Sequence, residues 1–123
     1  MPYLPDGALD ALLNYVQDNV EALHICDTLP VTYANVATYD LGNKQSPSMA
    51  EPSDRGGGGR ECIVSAITDG AVTADGTAGY WALVKDTATA ELLASGALSA
   101  PQAVTNGNTF TLTSFAVGVP DAV

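Results

Sequence analysis

Regularly spaced turn signals in the second half of the chain constrain its fold more than any other feature. From residue 61 onward, short runs alternate apolar with polar or small side chains, and Asp-Gly (69–70, 75–76) and Asn-Gly (106–107) pairs interrupt them. Such alternation places apolar side chains on one strand face, and these dipeptides favour tight hairpin turns. Turn signals about every ten residues are typical of an antiparallel meander. The sequence therefore predicts a mainly β fold, an antiparallel β-sandwich or barrel meander.

The segment TAGYWALVK, residues 77–85, gives the strongest strand signal. Trp81 and Leu83 fall on one predicted face, and Tyr80, Ala82 and Val84 fall on the other. The TNGNT segment, residues 105–109, predicts a hairpin turn before the closing strand, which has a predicted bulge near residues 114–115.

The first third of the chain predicts one helix and one strand. An apolar stripe along residues 6–19 (Leu9, Leu12, Leu13, Val16) indicates an amphipathic helix, with Asp6 as its N-cap and the stripe covering an open face of the sheet. Residues 20–27 predict a strand with Leu23 and Ile25 on one face and Ala22, His24 and Cys26 on the other. Thr32 is positioned to cap a short helical turn through Ala37.

The 123 residues fit one domain. We divide it into an N-terminal helix and strand (1–41), a Gly-rich loop (42–60) and a β-meander (61–123). The loop assignment rests on the two prolines and the lack of apolar periodicity between Gly42 and Gly59. Loops of this length are usually functional or mobile.

The net charge of −10 excludes several classes of partner. Nucleic acids and anionic membranes attract Lys and Arg, of which the chain has four against 14 acidic residues. The N-terminal segment has no secretory signal pattern, and no apolar run is long enough for a membrane span. We expect synthesis in a reducing cytoplasm, where Cys26 and Cys62 would be free buried thiols. A disulfide between them is the alternative if their strands are neighbours.

The segment PSDRGGGGRE, residues 52–61, raises the question of an anion site. A phosphate loop requires a preceding strand, a Lys-Ser/Thr end and a following helix, and all three are missing from the pattern. A flexible connector or a close approach to another chain fits better, with Arg55 and Arg60 contacting a neighbour's carboxylates. The predicted interface comprises Lys44, Arg55, Gly56, Gly57, Gly58, Gly59 and Arg60.

No combination of residues predicts catalysis, a cofactor or a metal. His24 is the only histidine, and its spacing identifies no nucleophile or carboxylate partner, so we expect it packed or partly buried. Two cysteines and one histidine do not supply the four ligands of structural zinc. Tyr80 and Trp81 could form a sugar-binding platform, which leaves a carbohydrate-binding β-module as an alternative of another class.

Four segments carry a family resemblance: ICD…P.TY (25–33), LGNK (41–44), ITDGAVTADGTA.YWAL (67–83) and QAVTNGNTFTL (102–112). With them, nearly the whole chain resembles a group of small virion structural proteins of tailed bacteriophages and prophages, of the capsid decoration, or cement, type. The resemblance implies no catalytic residues.

The resemblance implies a non-enzymatic protein that binds the major capsid protein on the outer surface of the head and stabilises it. The expected location is the exterior of the virion, after synthesis in the host cytoplasm. We also expect a homo-oligomer, with a trimer as one candidate, since virion proteins occupy symmetry axes. The alternative within the same particle is a neck or tail component, such as a connector or tube subunit.

Overall fold

A computed structural model describes residues 5–56, 58–86 and 90–119. The elements in chain order are α1 (Asp6–Asn19), β1 (Ala22–Cys26), α2 (Tyr33–Tyr39), β2 (Asp40–Gln45), β3 (Ser53–Asp54), β4 (Arg60–Val64), β5 (Ile67–Val72), β6 (Gly76–Lys85), β7 (Glu91–Val104), β8 (Thr109–Leu112) and β9 (Phe115–Val119).

Two antiparallel sheets form the fold. The main sheet has the order β7-β6-β1-β2-β5-β8, and the small sheet has the order β3-β4-β9. The main sheet curls into half of a barrel. This arrangement confirms the predicted mainly β antiparallel fold with an N-terminal helix, and adds a second helix, α2, which Thr32 caps by accepting a hydrogen bond from the Asn35 amide.

Strand β1 lies at the centre of the main sheet and buries side chains on both faces. Leu23 and Ile25 point into the inner core of the curled sheet, as predicted. Ala22 and Cys26 point to the opposite face, where Val36 of α2 covers them in an outer core. All four of these β1 side chains are fully buried between the two cores, and β2 and β6 pair with the backbone of β1 on its two edges.

Helix α1 spans the predicted residues and packs on the small sheet. Leu9 and Leu13 of the predicted stripe are buried and Val16 packs against the inner core, but the prediction is wrong for Leu12, which is 56% exposed. The helix lies against β4, β9 and the start of β7. The predicted capping role of Asp6 is wrong. Pro5 is the N-cap, no side chain caps the helix, and Asp6 lies in the first turn, where its charge still favours the helix dipole.

The predicted loop at residues 42–60 is wrong at its start. Residues 40–45 form β2, which pairs with both β1 and β5. The prediction missed β2 because its sequence, DLGNKQ, is polar and has only Leu41 and Gly42 buried. Its strand conformation comes from backbone pairing on both sides, which apolar periodicity does not report.

The predicted turn at Asp69-Gly70 is also wrong, because both residues lie inside β5. Gly70 pairs with Phe110 of β8, and a Cβ atom added at Gly70 would overlap the Phe110 ring. The glycine therefore provides space for an aromatic ring and does not reverse the chain. The strand is interrupted instead at residues 65–66, where the chain passes from β4 of the small sheet to β5 of the main sheet.

The Asn106-Gly107 turn forms as predicted, with Gly107 at φ 91°, but it does not close a two-stranded hairpin. Strand β7 pairs with β6 at one edge of the main sheet, whereas β8 pairs with β5 at the other edge. The turn thus joins the two edges of the curled sheet. The predicted bulge near residues 114–115 is a break, after which β9 enters the small sheet.

We predict that Gly70→Ala lowers the free energy of unfolding by about 1–3 kcal/mol, because the added methyl overpacks against Phe110. Gly79→Ala is the matched control, since a Cβ there meets no atom within 4 Å. It should change stability by less than about 0.5 kcal/mol. Urea unfolding measures both values, and equal effects of the two substitutions would contradict the assigned role of Gly70.

Candidate interaction surface

The predicted interface residues are held by contacts within the chain. Lys44 on β2 forms an ion pair with Asp69 on the neighbouring β5, with Nζ 3.0 Å from Oδ1. Because Asp69 is 69% exposed, this pair contributes little to stability. Lys44 remains at the surface and available to other contacts, so its assignment to an interface stays a prediction.

The glycine run forms most of the turn between β3 and β4. The Arg55 amide donates to the Gly59 carbonyl at 3.0 Å, and the Gly58 amide donates to the Arg55 carbonyl at 3.1 Å. Gly58 and Gly59 have φ of 107° and 98°, a region that favours glycine. Gly56 is exposed, and Gly57 lies outside the described residues. The described glycines of the run therefore lie in a hydrogen-bonded hairpin turn.

Arg60 binds two carboxylates of its own chain. Its Nε and Nη2 atoms donate to both oxygens of Asp10 on α1, at 2.7 and 3.3 Å, and its Nη1 donates to Asp54 at 2.5 Å. The hydrogen bond to Asp10 is the main cause of a raised pKa for Arg60. The guanidinium thus joins α1 to the small sheet, and its predicted contact with a neighbouring molecule stays a prediction. Arg55 is also engaged internally, through the Gly58 carbonyl at 2.9 Å.

We predict that Asp10→Asn lowers the urea midpoint more than Asp54→Asn does. The Asp10 side chain is 27% exposed and accepts two bonds from Arg60, whereas the Asp54 side chain is 90% exposed and solvent-screened. The loss in Asp10→Asn should also persist at high salt, where exposed pairs weaken further. A larger effect at Asp54 would contradict the proposed link between helix and sheet.

His24 and Asp40 form a pair on the outer face of the main sheet. His24 Nδ1 lies 3.0 Å from Asp40 Oδ1, which also accepts the Gly42 amide at 3.0 Å. The His24 side chain is 16% exposed, in agreement with the prediction of a partly buried histidine.

Cys26 on the same face is fully buried, and burial, with the charges of Asp40 and Asp27, raises its pKa to about 12. The thiol therefore stays protonated and inaccessible beside this pair.

The raised pKa of Cys26 predicts a loss of stability in alkali. Below the ordinary thiol value of 9.0, both the native and the unfolded thiol are protonated and contribute no pH dependence. Between pH 9 and about 12, only the unfolded thiol ionises, so the free energy of unfolding falls by up to about 4 kcal/mol. Cys26→Ala should show a shallower decline above pH 9, measured by urea unfolding. Parallel pH profiles for the two proteins would contradict the assignment.

Tyr80 and Trp81 cannot form one sugar-binding platform, because they lie on opposite faces of β6. Tyr80 packs against the outer core and Trp81 belongs to the inner core. Trp81 is only 8% exposed, and the Phe115 ring packs on it with the ring centroids 4.7 Å apart. A platform for a sugar needs an open aromatic face, so this geometry does not support the carbohydrate-binding alternative.

A groove of about 580 Å³ opens where the curled sheet fails to close into a barrel. One wall is β7 from Gly96 to Gln102, the other is residues 111–116 of β8 and β9, and Trp81 lies at its base. At one point the Gln102 side chain spans the two walls and donates to the Thr111 carbonyl at 2.9 Å. The groove can accept an uncharged, partly apolar partner.

Sequence reasoning missed this groove because its walls come from opposite edges of one sheet. A signal was nevertheless present in the sequence. None of the 18 charged residues (14 acidic plus four basic) lies between Leu92 and Pro120. This charge-free stretch forms β7, β8 and β9, and each of these strands is the terminal strand of a sheet.

Cys26 and Cys62 are both buried free thiols. Within residues 5–56, 58–86 and 90–119, no three His, Cys, Asp or Glu side chains come together as a metal site. Neither described helix has the length and apolarity needed to cross a lipid bilayer.

Comparison with known protein families, curated proteins and solved structures finds no match.

Proposed function

We propose that this protein is a non-enzymatic structural component of a tailed-bacteriophage virion, which decorates the outer surface of the capsid and stabilises the head. The observation that carries the proposal is where the four resembling segments lie. Residues 25–33 include the end of β1, 41–44 lie in β2, 67–83 span β5 and most of β6, and 102–112 include the end of β7 and all of β8, so the segments reach each of the six strands of the main sheet. The resemblance therefore concerns the framework of the fold and not an isolated motif.

The roles of the described polar side chains are consistent with a protein that acts through its shape. Arg60 links α1 to the small sheet, Lys44 links β2 to β5, and His24 pairs with Asp40 beside a protonated thiol. Tyr33 donates to Asp86 at 2.8 Å and so ties α2 to the end of β6. In each case an ionisable group is bonded to another part of its own chain.

The charge distribution suits a protein that covers a shell. A net charge of −10 keeps free copies soluble and apart from nucleic acid, whereas β8, β9 and β7 beyond Glu91 carry no charge and offer a surface for protein contacts. Many weak contacts repeated over a lattice add up to strong attachment through avidity. The major capsid protein is the proposed partner.

We predict that purified particles of the phage or prophage that encodes this chain contain it at a copy number close to that of the major capsid protein. Mass spectrometry measures the ratio, and electron microscopy of labelled particles should place the chain outside the head. Particles from a deletion strain should release DNA at a lower temperature, and added purified protein should restore the release temperature. Copy numbers far below that of the shell subunit would indicate a neck or tail component, and absence from the particles would overturn the proposal.

A further inference from the structure

The free edge of β7 is flanked by the most exposed large apolar side chains of the described residues. β7 is the terminal strand of the main sheet, so its outer backbone edge has no strand partner in the described chain. Leu12 and Tyr15 on α1 are 56% and 51% exposed. Leu29 and Val31, in the loop before α2, are 42% and 73% exposed. Exposed apolar patches of this kind mark contacts with other protein.

Two hydrogen bonds fix these side chains beside the first half of β7. The Tyr15 hydroxyl donates to the Glu91 carboxylate at 2.5 Å, and Leu12 lies one helical turn before Tyr15 on the same helix face. The Ser95 hydroxyl donates to the carbonyl of Pro30, between Leu29 and Val31, at 2.9 Å. Leu12 and Tyr15 therefore lie on the inner side of the edge formed by residues 91–97. Leu29 and Val31 lie on its outer side.

This edge has few of the features that usually prevent strands from pairing with other chains. Natural edge strands are protected by charged residues, prolines and bulges. The proline of β7 and its large bulge come at residues 98–101, which stand opposite Gly79 alone in the register with β6, and within residues 91–97 there is a one-residue bulge at Leu93. From Leu92 to Ala97 there is neither a charge nor a proline, and Glu91 is engaged by Tyr15.

Charge favours a second copy of this chain at this edge. With a net charge of −10, two copies repel each other wherever their acidic surfaces meet. Residues 92–97 are a place where their backbones can approach without a like-charge contact. An edge strand is also complementary to itself, because a two-fold rotation perpendicular to the sheet brings its free donors opposite its free acceptors in antiparallel order.

We propose that two copies associate through antiparallel pairing of residues 91–97 of β7, which joins their main sheets across a two-fold axis. The same rotation brings Leu12 and Tyr15 of one copy against those of the other on the inner side. It brings Leu29 and Val31 against their counterparts on the outer side. The inference does not depend on the proposed capsid function, because the isolated protein is expected to associate in this way.

Light scattering after size-exclusion chromatography tests the proposal on the full chain across a dilution series. The wild-type protein should have twice the 12.6 kDa chain mass. Leu12→Lys/Val31→Lys should raise the dimer dissociation constant at least about tenfold, because like charges then face each other across the axis. Ala66→Lys/Thr68→Lys, at exposed sites on and beside β5, adds the same charge and should leave the dimer intact. Circular dichroism checks that both variants are folded.

A cross-link gives an independent measurement. Both native cysteines are buried, so a single exposed cysteine introduced by Val31→Cys should be the site of oxidation, and it should yield a covalent dimer. Ala66→Cys should yield little or none. The proposal is overturned by a monomer at every concentration, by a trimer, which a two-fold contact cannot build, or by a dimer that the two lysines leave unchanged. Evidence against this dimer would not contradict the capsid proposal, because the capsid proposal is tested on virions.

Discussion

The burial of β1 on both faces is the constraint on which the rest of the structure depends. A five-residue strand with four completely buried side chains needs a layer on each side and a partner strand on each edge. The curled sheet supplies the inner layer, α2 supplies the outer one, and β2 and β6 supply the edges. The polar sequence of β2 is held in a strand by this requirement, because an unpaired buried edge of β1 would leave backbone groups without hydrogen bonds.

Local patterns in the sequence were sufficient for the elements that local physics determines. The stripe of α1, the opposite faces of β1 and β6, and the Thr32 cap all follow from periodicity or from a single side-chain bond. Apart from the Asp6 cap, which is a local error, what the sequence did not predict depends on contacts between distant residues. Gly70 makes room for Phe110, 40 positions later, and the carboxylate that Arg60 binds belongs to Asp10, 50 positions earlier. No short window of sequence contains both members of such pairs.

The candidate surfaces also differ in how far short-range sequence patterns reveal them. Arg55, Arg60 and the glycines looked suited to an interface because flexibility and positive charge stand out in an acidic chain. Their contacts close a hairpin and attach a helix. Within the described residues, β7, β8 and β9 are terminal strands with one edge unpaired, and they are inconspicuous in sequence because small and apolar residues are ordinary in strands. In this protein the absence of charge over a long stretch is more informative than the few charges present.

The separation of β7 from β8 has a consequence for how the chain acquires its fold. Residues 109–119 supply the last strand of the main sheet and, through β9, an outer strand of the small sheet. Neither sheet is complete until this segment has been synthesised, although β1, β2 and β6 are available much earlier. Pairings between such distant segments slow folding, since the entropy of closing long loops is lost before the contacts form. A nascent chain therefore leaves inner-core side chains such as those of β1 and β6 exposed until β8 and β9 have been made.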